Sequence, residues 1–508
     1  MKLIYYIFFQ LTFLFCFTQK SFNYFKETKS EFGISAISES TLLAKSFQFS
    51  YPIFTVLPDT SNHQLLVSVR QRDPSGKSYT SKGFHMCIQK NDSIKSVYED
   101  SKLDFEMLGD FLLMSSNSKT GRFNRKHGYE QFEYPSKIIY INQSNEIGLS
   151  YNPLFKTGNE INLSALNLND GNVLWSAPLE SKNYWNDVLG VNDSLICIAS
   201  SGLHGVNSLR GVNWSYPMIT AEKPKKPLIQ TVFNPITLNR FFKPIKTSNT
   251  EGIVRQLASN ILLVDGLSYF AATDKIISVD LSGKLIWETD LKDKNNSLSF
   301  LVDYSSNVLL LNLGLGLING NYISYGKPSV MLFSKQFGQL IYLEELSQYG
   351  LLSDMQIFKN KLYFASRSDI LYADNIGVKN QYHIDKIKYG EFTEFINGDE
   401  YFVEKEGFYV PLNFINDNVV YFKTDQDKVY GLNNDQIDYV YHFTELYKLK
   451  AEEGGKKIIS QRNKSLLISE NLELLSTLKA AENVIGMNNK FYVYNAGFLY
   501  IIDLNDVK

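Results

Sequence analysis

Several residues and patterns that would announce common chemistries are scarce in this chain. It has 508 residues but only three cysteines, six histidines, four tryptophans and 13 prolines. Cys16 lies in an apolar N-terminal run, which leaves Cys87 and Cys197 for the body of the protein. Two distant cysteines make no disulfide framework, and the lack of a CxxC pair excludes a thiol redox motif or a zinc knuckle. Each sits in an apolar, strand-like run (HMCIQ and SLICIAS), so both are expected as buried free thiols.

His63, His85, His127, His204, His383 and His442 are scattered. No two have the i, i+2 or i, i+4 spacing that puts paired imidazoles on one face. G-x-S-x-G and Walker sequences are absent, and "GLGLING" (Gly314–Gly320) sits in an apolar strand run rather than at a strand-to-helix turn. No catalytic, metal-binding or cofactor-binding residue is assigned. A formal charge of −2 gives no overall attraction to nucleic acid or to an anionic membrane surface.

A sustained helical period is also missing, apart from one short turn expected at Leu446–Ile458. The only long apolar run is Leu3–Phe17, behind Met1-Lys2. It falls short of the ~20 residues that span a bilayer and reads as a signal peptide over 1–18. Phe15 directly before Cys16 argues against lipidation at that cysteine. The body, 19–508, is expected to be exported, periplasmic or associated with the outer membrane, with no membrane span of its own.

Aromatic residues are abundant, at 14%, with 35 Phe and 32 Tyr. They favour pleated, half-buried surfaces and an all-β reading. One phrase recurs: "ALNLNDGNVLW" (Ala165–Trp175), "SVDLSGKLIW" (Ser278–Trp287), "GVNSLRGVNWSY" (Gly205–Tyr216) and "VMLFSKQFGQLIYLEEL" (Val330–Leu346). In each, an alternating strand enters a glycine turn and an aromatic follows. The structural positions are Gly171 and Trp175, Gly211 and Trp214, Gly283 and Trp287, and Gly338 and Tyr342. Weaker copies lie at Phe84–Glu99, Lys428–Phe443 and Ser465–Leu478. Glycine supplies the positive φ of a tight turn, and the aromatic supplies an apolar plate for a neighbouring sheet. Repeats of roughly 35–60 residues with three or four strands each mean stacked sheets, because one such sheet cannot bury both faces. The last strand, Phe498–Leu504, is expected to pair with N-terminal strands near "SAISES" and "SFQFSY" and so remove an exposed edge.

These repeats resemble the PQQ-like β-propeller superfamily, whose consensus runs roughly A-x-D-x-x-T-G-x-x-x-W, and in particular its non-enzymatic, BamB-like branch. The resemblance implies a single closed propeller of about seven or eight four-stranded blades over 19–508. Quinoprotein enzymes of the superfamily hold a quinone over a tryptophan, often beneath an adjacent-cysteine disulfide. This chain has no such cysteine pair, and Trp175, Trp214 and Trp287 occupy repeat positions, leaving Trp185. The sialidase-type Asp-box is not met, because both gaps in Ser278–Trp287 are one residue too long.

Two stretches interrupt the repeat, at about 117–160 and 217–250. The second contains Pro217, Pro224, Pro227, Pro235 and Pro244, and sets six cations against the single acid Glu222. Proline should keep it from central strand pairing, as an extended lid or arm. Its candidate partner-binding residues are Lys223, Lys225, Lys226, Arg240, Phe241, Phe242, Lys243 and Lys246. The expectation is a non-enzymatic scaffold for envelope protein partners, with no cofactor and no nucleic acid. The alternatives are an enzyme binding quinone or another small ligand, and a surface carbohydrate reader or adhesin using Tyr and Phe platforms.

Overall fold

The computed structural model describes residues 24–507 with short interruptions, the longer ones at 99–103, 181–185, 224–228, 234–239 and 245–252. Nearly every described element is an antiparallel strand; the longest helix among the described residues, Lys386–Tyr389, has four residues. The chain divides into two compact units. One comprises Met1–Lys102, Glu404–Val410 and Lys448–Lys508, the other Leu103–Val403 and Pro411–Tyr447.

The larger unit is built from four-stranded antiparallel meanders at 104–134, 138–180, 187–217, 262–290, 299–345, 354–383 and 392–442. Alternation on each strand sends apolar side chains to both faces, so successive sheets pack together. Cys197, Ala199 and Leu203 meet Phe270 and Ile277 of the next sheet, and Tyr269 and Ile276 meet Leu310, Met331 and Phe333 of the one after.

The recurring phrase has a recurring geometry. In nine outer hairpins the register slips by one residue, and the first residue after the bulge is Ser96, Phe132, Trp175, Trp214, Trp287, Tyr342, Asn380, Tyr441 or Ser476. A bulge re-aims the side chain that follows it. The Trp287 ring lies where a Cβ on Gly338 would be, 2.3 Å away. Trp214 lies equally close to Gly283, at 2.2 Å, while Trp175 leaves 3.7 Å at Gly211. These turn glycines have φ of 91° at Gly283, 67° at Gly338 and 102° at Gly211. Each therefore serves its own turn and seats the tryptophan of the preceding sheet. Phe132, four after Gly128 in the sequence, plays that part against Gly171, at 2.7 Å.

The smaller unit holds a four-stranded meander at 53–98 and an eleven-stranded sheet. In the latter, strand β1 (Phe25–Ser35) and strand β2 (Thr41–Phe49) lie between the 447–478 meander and three strands at 483–503. Lys45, Ser46, Phe47 and Gln48 pair with Ile501, Tyr500, Leu499 and Phe498. The expected pairing of the two chain ends is thus present, made by "SFQF", whereas Ser35 of "SAISES" pairs with Ser476. Phe47 and Phe49 face Leu65, Val67 and Phe84, while Ala44 and Phe32 pack with Ile458, Leu467 and Phe491.

Three expectations change. The 117–160 stretch is not a loop elaboration; it supplies strands Thr120–Asn124, Tyr129–Tyr134, Ile138–Asn142 and Ile147–Thr157. Leu446–Ile458 is not helical but a hairpin, Tyr447–Glu453 and Lys456–Gln461, because Gly454-Gly455 makes its turn. The meanders also outnumber the expected seven or eight. Eight stand alone as four-stranded sheets and the eleven-stranded sheet contains more. Copies such as 104–134 and 354–383 carry strand alternation without the tryptophan that makes a repeat visible.

Candidate partner-binding surface

In a four-stranded meander, the connection between the second and third strands and the exit from the fourth leave from the same end of the sheet. Two insertions use this end in neighbouring regions of the larger unit. One follows the 187–217 sheet; the other interrupts the 299–345 sheet between Asn307–Asn312 and Ser329–Ser334. The latter contains "GLGLING", which forms an inserted hairpin, Leu315–Ile318 with Asn321–Ser324.

The two insertions are joined by a short backbone ladder. Glu222 and Val254 exchange N–H···O bonds of 3.1 and 3.0 Å, and Arg255 and Leu317 do the same at 2.8 and 3.0 Å. Val254 and Leu257 are buried with Ile318 and Ile323. A Cβ on Gly316 would come within 2.3 Å of Val254, so glycine is what lets the two segments meet. The Tyr325 hydroxyl donates to the Glu222 carboxylate. Burial, and then this bond and the Glu222 charge, push the Tyr325 phenol well above its ordinary pKa.

Of the predicted partner-binding residues, Lys223 is exposed at the base of the insertion. Arg240, Phe241, Phe242 and Lys243 lie on the strand Arg240–Pro244, which pairs antiparallel with Ile229–Phe233. Lys225, Lys226 and Lys246 lie outside the described residues, as does Trp185. The segment expected to be an unpaired arm therefore contains a hairpin. Pro244 fits because it stands at the strand's last position, opposite Ile229; Pro224, Pro227 and Pro235 lie outside the described residues. Sequence reasoning missed Tyr325, Val254 and Leu257, which fix the base. Their signal is spread over two segments that touch only in the fold.

Elsewhere, polar groups that could look functional are engaged in structure. His85 is bonded to Ser68 at 2.8 Å and His204 to Ser215 at 2.8 Å, both buried within sheets. The Trp175 and Trp287 indoles each donate to a carbonyl of the next sheet, at Ser208 and Lys335, both at 2.8 Å. With Trp214 seated against Gly283, the described tryptophans serve as joints between sheets. They do not fit the stacking plate that a quinone requires. Cys87 and Cys197 are buried free thiols, and burial raises the Cys197 pKa. Among the described residues no cluster of His, Cys, Asp or Glu could hold a metal ion.

Two cavities of about 660 and 680 Å³ lie in the smaller unit. The second is lined by His63, Lys90, Glu453, Lys490, Asp503 and Asn505 among others. Its charges are largely paired: Lys490 holds Asp92 at 2.7 Å, and Glu453 accepts the Asn489 N–H at 2.7 Å. No helix among the described residues is long and apolar enough to cross a membrane.

No family model matches the chain, and no curated protein matches it. Among solved structures, it is similar to BamB from Moraxella catarrhalis, with a TM-score of 0.35 and 10% identity over 78% of this chain and 97% of that one. A eukaryotic initiation factor gives a TM-score of 0.38 at 9% identity, covering 71% of this chain and 97% of that one. The computationally designed protein Ika8 gives 0.32 at 10% identity, covering 81% and 100%.

Proposed function

We propose that the chain is an exported, non-enzymatic β-propeller that acts as a protein-interaction scaffold in the bacterial cell envelope. In this reading the meanders are PQQ-like propeller repeats, and the pairing of β2 with Phe498–Asp503 removes an exposed edge. The observation that carries the functional reading is the insertion at 217–250. It is strongly basic, and it is built on a base fixed by Val254, Leu257 and the Glu222–Tyr325 bond. A segment that departs from the repeat in composition, yet is anchored by it, is where a repeat fold places recognition.

The signal-like N-terminus supports export, and an exported scaffold meets proteins of the envelope. A role in outer-membrane assembly or secretion is the finer form of this reading, by analogy of repeat type. Crosslinking in the native envelope followed by purification tests the reading. A discrete, stoichiometric envelope protein should be recovered. Turnover of an alcohol or sugar substrate after addition of quinone and calcium would overturn the non-enzymatic assignment in favour of a quinoprotein.

A further inference from the structure

Strand β2 runs further than the strand beside it. Lys45 pairs with Ile501, and Phe498–Asp503 ends just beyond. Thr41–Ala44 therefore have no partner strand on that side among the described residues. The Phe49 N–H donates to the Gly497 carbonyl at 2.8 Å, which sets the alternation along β2. On that alternation the N–H and C=O groups of Thr41 and Leu43 point to the same side, past the end of the neighbouring strand. The opposite edge of β2 is filled by β1 as far as Thr41, paired with Ile34. A cavity of about 660 Å³ lies at the open edge, with Asp506 and Val507 also in its lining. Leu42 and Leu43 stand on opposite faces of β2 and both line it, as a gap at a strand edge requires.

Native sheets blunt such edges with lysine, proline or a covering loop. This one presents Thr41, Leu42 and Leu43, and Leu43 is 54% exposed. The charges around the gap are mostly committed to the fold. Lys45 meets Glu27 at 3.0 Å, and Asp92 meets Lys490 at 2.7 Å. Asp503 accepts the Asn505 N–H at 3.0 Å. Lys29 lies one strand further away, opposite Lys45 on β1. Asp506 is exposed, and its carboxylate has no hydrogen-bond or ion-pair partner among the described residues. The gap thus offers backbone donors and acceptors, an apolar side chain and an unanswered negative charge.

We infer that this gap takes an extended segment of a partner protein as an added strand on Thr41–Leu43, with an apolar residue beside Leu43 and a basic group on Asp506. Asp92, Asp503 and Asp506 all line the gap, so an acidic segment would meet repulsion. The open backbone selects a peptide over a free amine, which could answer Asp506 but not Leu43. This inference goes beyond the scaffold reading: it concerns the smaller unit and does not involve the insertion at 217–250.

The test uses the full chain and an amino-acetylated peptide, lysine followed by alternating Val and Thr, dye-labelled at its carboxyl end. Its comparators are the same peptide with glutamate for lysine, two forms N-methylated at alternate residues in one phase or the other, and n-butylamine. The lysine peptide should bind, and the glutamate peptide should bind roughly tenfold more weakly. Asp506→Lys should reverse that preference, while Lys29→Gln should leave it unchanged. N-methylation should cost roughly tenfold in one phase and little in the other, because only alternate N–H groups of an added strand meet β2. If the Asp506 variant fails to fold, the glutamate and N-methylated peptides on the unaltered chain decide alone. Equal binding of the two N-methylated forms overturns strand addition. Equal binding of the lysine and glutamate peptides overturns the role of Asp506. Full displacement by n-butylamine shows an amine pocket instead. An envelope partner recovered with a chain that binds none of the peptides sinks this inference and leaves the scaffold standing.

Discussion

The Trp287 indole donates to the Lys335 carbonyl of the next sheet at 2.8 Å, with its ring over the turn that Gly338 makes possible. Thr289 donates to the Gly338 carbonyl at 2.6 Å, so two residues of one strand hold a single turn of its neighbour. Replacing Gly338 by Ala should lower stability by roughly 2–4 kcal/mol, from strain at positive φ and from overlap with the ring. Gly211→Ala should cost only about 1–2 kcal/mol, because Trp175 leaves room and strain alone remains. Denaturant midpoints of the two variants give the ordering, and equal losses would remove the ring overlap from the explanation.

The pairing of β2 with Phe498–Asp503 protects an edge that would otherwise be open. Phe47 is fully buried in it. Phe47→Ala should destabilise the protein by about 3–5 kcal/mol. Removing residues 24–50 should leave an unpaired strand, and size-exclusion chromatography with light scattering should then show association.

At the base of the insertion one side-chain hydrogen bond adds to the backbone ladder and the buried apolar contacts. Tyr325→Phe should cost about 1–2 kcal/mol of local stability, since Glu222 loses its donor. Trypsin should cut after Arg255, in the ladder at the base, faster in the variant while cleavage elsewhere stays unchanged. Global loss of protection would show instead that the bond supports the whole unit.

Alkaline pH should weaken the smaller unit through Tyr492. Burial, followed by the Asp92 charge, pushes its phenol up to about 12 in the fold from an ordinary value of 10.0. A raised folded pKa contributes stability that is present below pH 10 and is lost as pH rises from there through 12. The fall should be on the order of 2 kcal/mol, and Tyr492→Phe should remove this part of the pH dependence. Melting followed across that window checks the slope.

Both body thiols should resist a soluble disulfide reagent in the native protein and react together on unfolding. Cys197 has no exposed surface and lies 3.7 Å from Ser268 Oγ. Prompt native labelling would contradict its burial.

The fold was legible in the sequence wherever side-chain pattern and turn chemistry coincide. Gly283 with Trp287 and Gly338 with Tyr342 declare both the turn and the plate, and strand alternation declares the rest. Phe132 stands four after Gly128, the spacing of Gly283 and Trp287, but its copy has phenylalanine in place of tryptophan and so announces itself less clearly. Asn380 and Ser476 hold the same post-bulge position without an aromatic, so their sheets do not announce themselves. The hairpin at 229–244 was hidden for a different reason. Proline density argues for a loop, and only its position at the strand's end shows that Pro244 leaves the ladder intact. The Glu222–Tyr325 contact joins residues far apart in sequence, which no local pattern can carry.

The central claim is that recognition resides in the basic segment that breaks the repeat. Replacing 224–250 by a short Gly-Ser linker and repeating the envelope crosslinking tests it most directly. The account predicts that the protein keeps its melting behaviour and loses its partner. Recovery of the same partner in the same yield without the segment would contradict it.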